Sequence, residues 1–374
     1  MPARCADAKR INYWGFDNDS PEAAGGRREA WALTFLNTSS GFDDKRSRLI
    51  AGSRPCAGIL AATMIQIALE VSLDYEVTDP AGADFVFNIQ AASTAHQQVS
   101  DEHLVISQQV TPEFATDPVT ASRFMRLHAD TGPLVVGYRA TVTLAHHMAE
   151  PDTLHEVPVR GLPLEVMPYV YPSRYCQSDR MLNLAMREFG TLWPGYSRIL
   201  AIQHWVQDNM TFTPNVSNSA TSALDTVVDR AGVCRDFTHL MIALCRAVNI
   251  PARVVTGTDY GADPALGPPD FHAYVEVYLG DRWYLFDPSG TGIPMGFVRL
   301  GTGRDAADVA FATIFGAVTS KAPLVRVTAA AGGGFTLPHH CREALSTTQP
   351  SPPAFNGHVQ MCSASPPRVQ QVPN

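Results

Sequence analysis

The 374-residue sequence has no basic run, and its net charge is −8. Both argue against nucleic acid as a main partner, because phosphate contacts need clustered Lys and Arg. It has no CxxC pair, and its seven cysteines are an odd number. A disulfide framework is therefore not what the thiols spell, and a reducing cytoplasm is the expected setting. The opening residues do not follow the basic-then-apolar order of a secretory signal. The longest apolar run, Ala57 to Leu69, is too short for a bilayer, is cut by Gln66 and alternates in its second half. The expectation is a cytoplasmic chain with no membrane partner. A sustained hydrophobic period is missing from residues 1–63, which read as a poorly structured extension, with Met64 as the start of the folded part. It is missing again from 346–374, a Pro- and Ser-rich stretch that reads as a disordered tail.

Between these ends the pattern is strong, and the length suits two domains. "MIQIALEVSLDYEV" alternates strictly, with Ile65, Ile67, Leu69, Val71, Leu73, Tyr75 and Val77 on one face. That is a half-buried strand. "DFVFNIQ", "HLVISQQV" and "PLVVGYRATVTL" continue the theme, so residues 64–160 read as a β-sandwich-like N-terminal domain. "VRGLPLEVMPYVYPSRYC" is proline-rich and reads as a linker. From Asp179 the period becomes helical, in "DRMLNLAMREF", "GYSRILAIQHWVQDNM" and "TSALDTVVDR", the last capped by Thr221 or Ser222.

The fourth helical segment holds the first candidate for chemistry. In "RAGVCRDFTHLMIALCRAVNIPARV", Phe237, Leu240, Met241, Leu244 and Val248 form one apolar helix face, ended by Asn249 and Pro251. Cys245 falls in the buried sector and reads as a small core hydrophobe. Cys234 falls at the N-terminal end, where free backbone N–H groups and the macrodipole favour negative charge. Arg235 adjoins it, and Gly232 leaves room for close approach of a substrate. A structural cysteine at a helix start is the rival reading.

A nucleophilic cysteine needs a base, and the base an orienting group. "FHAYVEVYL" and "RWYLFDP" flank Gly280-Asp281, a glycine-first pair suited to a two-residue II′ hairpin turn. Such a turn sets Leu279 opposite Arg282 and Tyr274 opposite Asp287. His272 and Asp287 then share a face as diagonal neighbours, about 7–8 Å apart at the backbone and within side-chain reach. A turn one residue longer would put them on opposite faces. An aspartate in an apolar run also needs a partner. The candidate set is Cys234 as nucleophile, His272 as general base and acid, and Asp287 as the imidazole's orienter.

Rival motifs are weaker. "GTGRDA", Gly301 to Ala306, fits a GxGxxA pattern after a strand and before helix-like residues, but lacks the parallel βαβ unit of a dinucleotide site. It reads as a turn and helix cap. "PHHC", Pro338 to Cys341, and His146-His147 lack metal-ligand spacing. His239, five residues beyond Cys234, is turned off the cysteine's direction and is expected to face solvent or a helix neighbour. Trp205, Trp283 and Tyr274 are cleft candidates that read more simply as core.

"RAGVCRDFTHLMIALCRAVNIPARVVTG", "DFHAYVEVYLGDRWYLFDPSG" and "RLGTGRDAADVAFATIFG" resemble the bacterial transglutaminase-like proteins, a superfamily often described as cysteine proteases. The resemblance runs from about Met64 to about Ala344 and places the family's Cys, His, Asp triad on Cys234, His272 and Asp287. It implies an α+β fold: a papain/transglutaminase-like core in residues 161–345, the cysteine helix against an antiparallel sheet, plus the all-β N-terminal domain. It implies acyl transfer on carboxamide or peptide bonds through a thioester, ending in hydrolysis, deamidation or transamidation. The partners would be a protein or peptide substrate and an amine acceptor, with no metal or organic cofactor. A non-catalytic binding or scaffold protein on the same fold is the alternative.

Overall fold

A computed structural model describes residues 10–13, 64–262 and 270–351. Two five-stranded antiparallel sheets form the β part. One is built on Ile65–Val77, which pairs along its whole length with Gly132–Leu144, from Ile65 opposite Leu144 to Val77 opposite Gly132. The alternating residues of Ile65–Val77 point inward and are buried, as their period requires. The second sheet centres on Ala83–Phe87 and Arg123–Ala129. Tyr75, Phe85 and Phe87 pack between the sheets, with the two phenyl rings stacked at 5.4 Å.

The sequence groups residues 161–345 as one unit, but strands from its end cross into the β part. Ala312–Phe315 joins the second sheet beside Ala83–Phe87, and Val318–Ser320 and Leu324–Ala330 both pair with Ile65–Val77. Their alternating burial suits an outer strand, and "AADVAFATIF", read as helix-like, is a turn followed by a strand. Other expectations also change. Arg10–Tyr13 forms an edge strand against Ala312–Phe315; the rest of residues 1–63, and so the reading of that extension, lies outside the described residues. The tail does not begin at Ser346: Ala344–Ser346 pairs with His147–Ala149, and Thr348 accepts a hydrogen bond from Arg282. Residues 352–374, with Cys362, lie outside the described residues. The proline-rich "linker" is packed rather than loose. Leu162, Val166 and Tyr169 bury themselves against Tyr278 and Trp283, because their apolar side chains find the outer face of the hairpin.

A four-stranded antiparallel sheet positions the site, in the order Arg282–Phe286, Phe271–Leu279, Ala252–Thr258, Val298–Gly303. Its two faces join different cores. Val254, Val275, Val277 and Phe286 pack on the helices, whereas Val255, Tyr274, Leu285 and Phe297 continue the sandwich core. With both faces covered these strands are buried at nearly every position, and the charges they carry inside, Arg253, Glu276 and Arg299, are paired with one another. Helices Leu182–Phe189, Tyr196–Asn209 and Ala223–Asp229 surround a fourth, Cys234–Ala247. At the start of the third, the Asp225 carboxylate reaches back and accepts both the Ser222 N–H at 2.9 Å and the Ser222 hydroxyl at 2.7 Å.

The cysteine helix is not amphipathic in the folded protein. Every residue from Arg235 to Ala247 is buried. Its polar side chains are therefore paired. Thr238 donates to the Ala273 carbonyl, and Arg246 donates to the carbonyls of Tyr171, Ala252 and Arg304 and to Ser173. Among the described residues no helix is long and apolar enough to cross a membrane.

Candidate active site

The helix begins at Cys234 because the residue before it is extended and capped from inside the first turn. Val233 has φ −113° and ψ −177°, and the Asp236 carboxylate accepts its N–H at 2.9 Å. A side chain at Gly232 would place its Cβ 2.7 Å from Asp236 Cβ. The cap, rather than substrate access, is what demands that glycine. Arg235 is not a free charge beside the thiol either. It is buried, with its guanidinium bonded to Asp236 at 3.0 Å and to the Asn218 carbonyl at 2.7 Å.

The hairpin follows the register that its turn dictates. Leu279 pairs with Arg282 and Val275 with Phe286, and Gly280 takes φ +60° at the first turn position, where a glycine is favoured. His272 and Asp287 consequently meet. His272 Nε2 lies 3.4 Å from Asp287 Oδ1, with both side chains about 3% exposed. At that length the contact is an ion pairing rather than an aligned hydrogen bond, and neither Nε2 nor Asp287 Oδ2 has a hydrogen-bond partner. Catalytic contacts of unliganded sites are often long and tighten around a substrate. The thiol of Cys234 lies within interaction range of the same ring. With Nε2 turned to Asp287, Nδ1 is the ring atom available to sulfur.

The electrostatics follow from the burial. Desolvation opposes a charge on His272, but Asp287, and after it Cys234, outweigh it and hold the imidazolium well above the ordinary histidine range. Burial pushes the Asp287 carboxyl up, while His272 and the Ser289 donors pull it below its usual range. Ser289 donates to Asp287 Oδ1 from its hydroxyl at 2.7 Å and its backbone N–H at 3.0 Å. Gln207 donates to the Asp287 carbonyl at 3.2 Å. Asp-Pro-Ser-Gly is an Asx-turn signature, so Ser289 was findable from sequence. Gln207 sits on a helix 80 residues away, and no local pattern announces it. A cavity of about 230 Å³ touches Asp287 but is lined by neither Cys234 nor His272.

Two other described thiols are buried. Cys245 is fully buried and its thiol is pushed up by desolvation; Cys176 is pushed to about 12 for the same reason. The profile of the transglutaminase-like superfamily matches residues 186–288, which contain Cys234, His272 and Asp287, and that of the bacterial transglutaminase N-terminal domain matches 65–165. A solved structure of a candidate cysteine protease from Cytophaga hutchinsonii is 38% identical. The match covers 76% of this chain and 97% of that one, with a TM-score of 0.69. The chain belongs to the transglutaminase-like superfamily. An uncharacterized protein of Mycobacterium leprae is 30% identical over 117 residues, 30% of this chain and 42% of the relative. One of Mycobacterium tuberculosis is 30% identical over 115 residues, 28% of this chain and 37% of the relative. The chain thus spans less than half the length of these two relatives.

Motifs outside these three residues serve the transglutaminase-like fold. In "GTGRDA", Gly301 packs on Asn88, and the turn that follows contacts the cysteine helix: Ala306 N–H donates to His239 Nε2 at 3.1 Å. Among the described residues no group of three or more His, Cys, Asp or Glu is placed to hold a metal ion. Tyr274 and Trp283 are core residues; Trp283 carries Arg253 over its ring at 4.1 Å. His239 faces neither solvent nor the cysteine. It is fully buried and stacked on Tyr175 at 5.1 Å. Because Nε2 accepts, the proton is on Nδ1 and the ring is neutral. Burial, aided by Arg235, lowers its pKa to about 3.

That shift has a stability consequence. Between the unfolded value near 6.5 and the folded value near 3, the unfolded chain binds the extra proton. The contribution of neutral His239 is thus complete above about pH 6.5 and is lost as pH falls. His239→Gln keeps an acceptor but cannot titrate. Urea unfolding at pH 7 and pH 4.5 should show the wild type losing about 2–3 kcal/mol more than the variant, at about 1.4 kcal/mol per pH unit. Equal losses would mean that His239 is already charged in the fold.

Proposed function

We propose that this protein is a cysteine-dependent acyl-transfer enzyme acting on carboxamide or peptide bonds. The observation that carries the reading is the meeting of Cys234, His272 and Asp287, from a helix start, a strand and the end of its hairpin partner. The Cys234 sulfur attacks the carbonyl carbon, and the oxygen takes the negative charge. The Cys234 N–H, in the first helical turn where amides lack an intrahelical acceptor, is placed to donate to that oxygen. The C–N bond then breaks, and His272 gives its proton to the leaving amine. The thioester is resolved by water or a primary amine, whose proton His272 takes back. Asp287 stabilises the charged ring throughout. We assign a protein or peptide substrate and, for the reduced thiol, a cytoplasmic setting.

Water is favoured as the acceptor because it is present at high concentration. Incubation with a glutamine-containing protein pool and a labelled primary amine should give free acid and ammonia faster than labelled product. Label incorporation outrunning acid formation would make transamidation the principal reaction. Neither product, with no acyl adduct on Cys234, would refute the enzymatic reading.

A further inference from the structure

The argument that pairs His272 with Asp287 has a counterpart on the other side of its strand. Phe271–Leu279 runs between the strand that leads to Asp287 and the strand Ala252–Thr258. On that second side the register sets His272 opposite Gly257 and Phe271 opposite Thr258. Carried one residue further, it sets Asp259 opposite Asp270. Asp259 then shares a face with Gly257 and is diagonal to His272, the same relation that Asp287 has across the hairpin.

Contacts beyond the strands hold Asp259 there. The Tyr260 carbonyl accepts the Ile293 N–H at 2.8 Å. A Cβ at Gly292 would lie 3.2 Å from the Asp259 Cβ. Asp259 therefore packs against the turn whose Ser289 and Thr291 hydroxyls, 3.0 Å apart, support Asp287. We propose that Asp259 is a second carboxylate acting on His272, a positioning residue that stabilises the imidazolium from the strand opposite Asp287. This rests on the Cys234–His272 reading above.

The charged neighbours are few. Asp259 is half-buried, and it faces His272, Asp287 and Asp270. Cys234 reaches the group through the ring, and Arg299, opposite Gly257, is committed to Glu276. Burial raises the Asp259 carboxyl; His272 opposes the rise and Asp287 adds to it. Burial likewise lifts Asp270 to about 6. The two carboxylates are thus shifted in opposite directions, Asp287 below the usual range and Asp259 above it.

The test uses the full chain and two reagents. Iodoacetate is an anion drawn to an imidazolium, so its reaction with Cys234 should slow when His272 loses its proton; neutral iodoacetamide should not respond in this way. The alkaline limb of the iodoacetate profile therefore reports His272. In Asp259→Asn that limb should move to lower pH by about one unit, from the loss of one charge at diagonal distance. Asp259→Glu should restore it. Because the folded carboxyl is raised, its anion destabilises the protein above the carboxyl range, so Asp259→Asn should melt no lower than wild type at pH 8. A limb unmoved in Asp259→Asn, with fast wild-type alkylation, would overturn this proposal alone. A wild-type Cys234 that reacts no faster than Cys341 would overturn the cysteine mechanism and this proposal with it.

Discussion

Replacing Cys234 by alanine is expected to abolish acyl transfer, lowering turnover by a factor of at least ~10⁴. His272→Ala should cost about as much. The double variant should be no worse than either, because groups that act as a unit are not additive. Asp287→Asn should be less severe, since the imidazole keeps its place beside the thiol. The same set can be followed without a substrate. An ordinary thiol titrates near ~8.5, so at pH 6.5 only about one part in a hundred is reactive. A thiol paired with an imidazolium should react with iodoacetamide about ten- to thirtyfold faster than that, after its lower nucleophilicity is discounted. Residue-resolved alkylation at pH 6.5 should label Cys234 first and the buried Cys176 and Cys245 hardly at all. His272→Ala should remove most of the advantage. Cys234→Ala with wild-type turnover would show that the chemistry lies elsewhere in the molecule.

Glu276→Ala should destabilise the protein by about 3–5 kcal/mol. Glu276 is on the same strand as His272 and is 1% exposed. It holds two buried arginines: Arg253 donates to Oε2 at 2.8 Å, and Arg299 pairs with Oε1. Arg253 also lies against Trp283 and Tyr169. Removing the carboxylate leaves two cations with no counter-ion in a core that excludes water. Differential scanning calorimetry at pH 7 should show a fall in Tm of about 5–15 °C. A shift under about 2 °C would mean that water or another acceptor already shares the load.

The sequence by itself determined whatever depends on neighbours along the chain. The alternation of Ile65–Val77, the period of Cys234–Ala247 and the Gly280-Asp281 turn are local, and each fixes a geometry within a few residues. From the turn alone the register of the hairpin follows, and with it the approach of His272 to Asp287. The tertiary structure decided whatever depends on which distant segments meet. The period of the cysteine helix marks one apolar face and says nothing of what meets the other, whose partners arrive from Tyr171, Asn218 and Arg304. His239 is buried because Tyr175 and the turn at Ala306 close over it. Ala312–Phe315 and Leu324–Ala330 return to two different sheets, pairing with strands more than 220 residues earlier, which no periodicity encodes. The placement proposed for Asp259 beside His272 rests on a register set with a second strand, across a connection too long for a tight turn to fix it. Local geometry follows from backbone sterics and side-chain period, whereas a buried charge finds its partner only when the whole core closes.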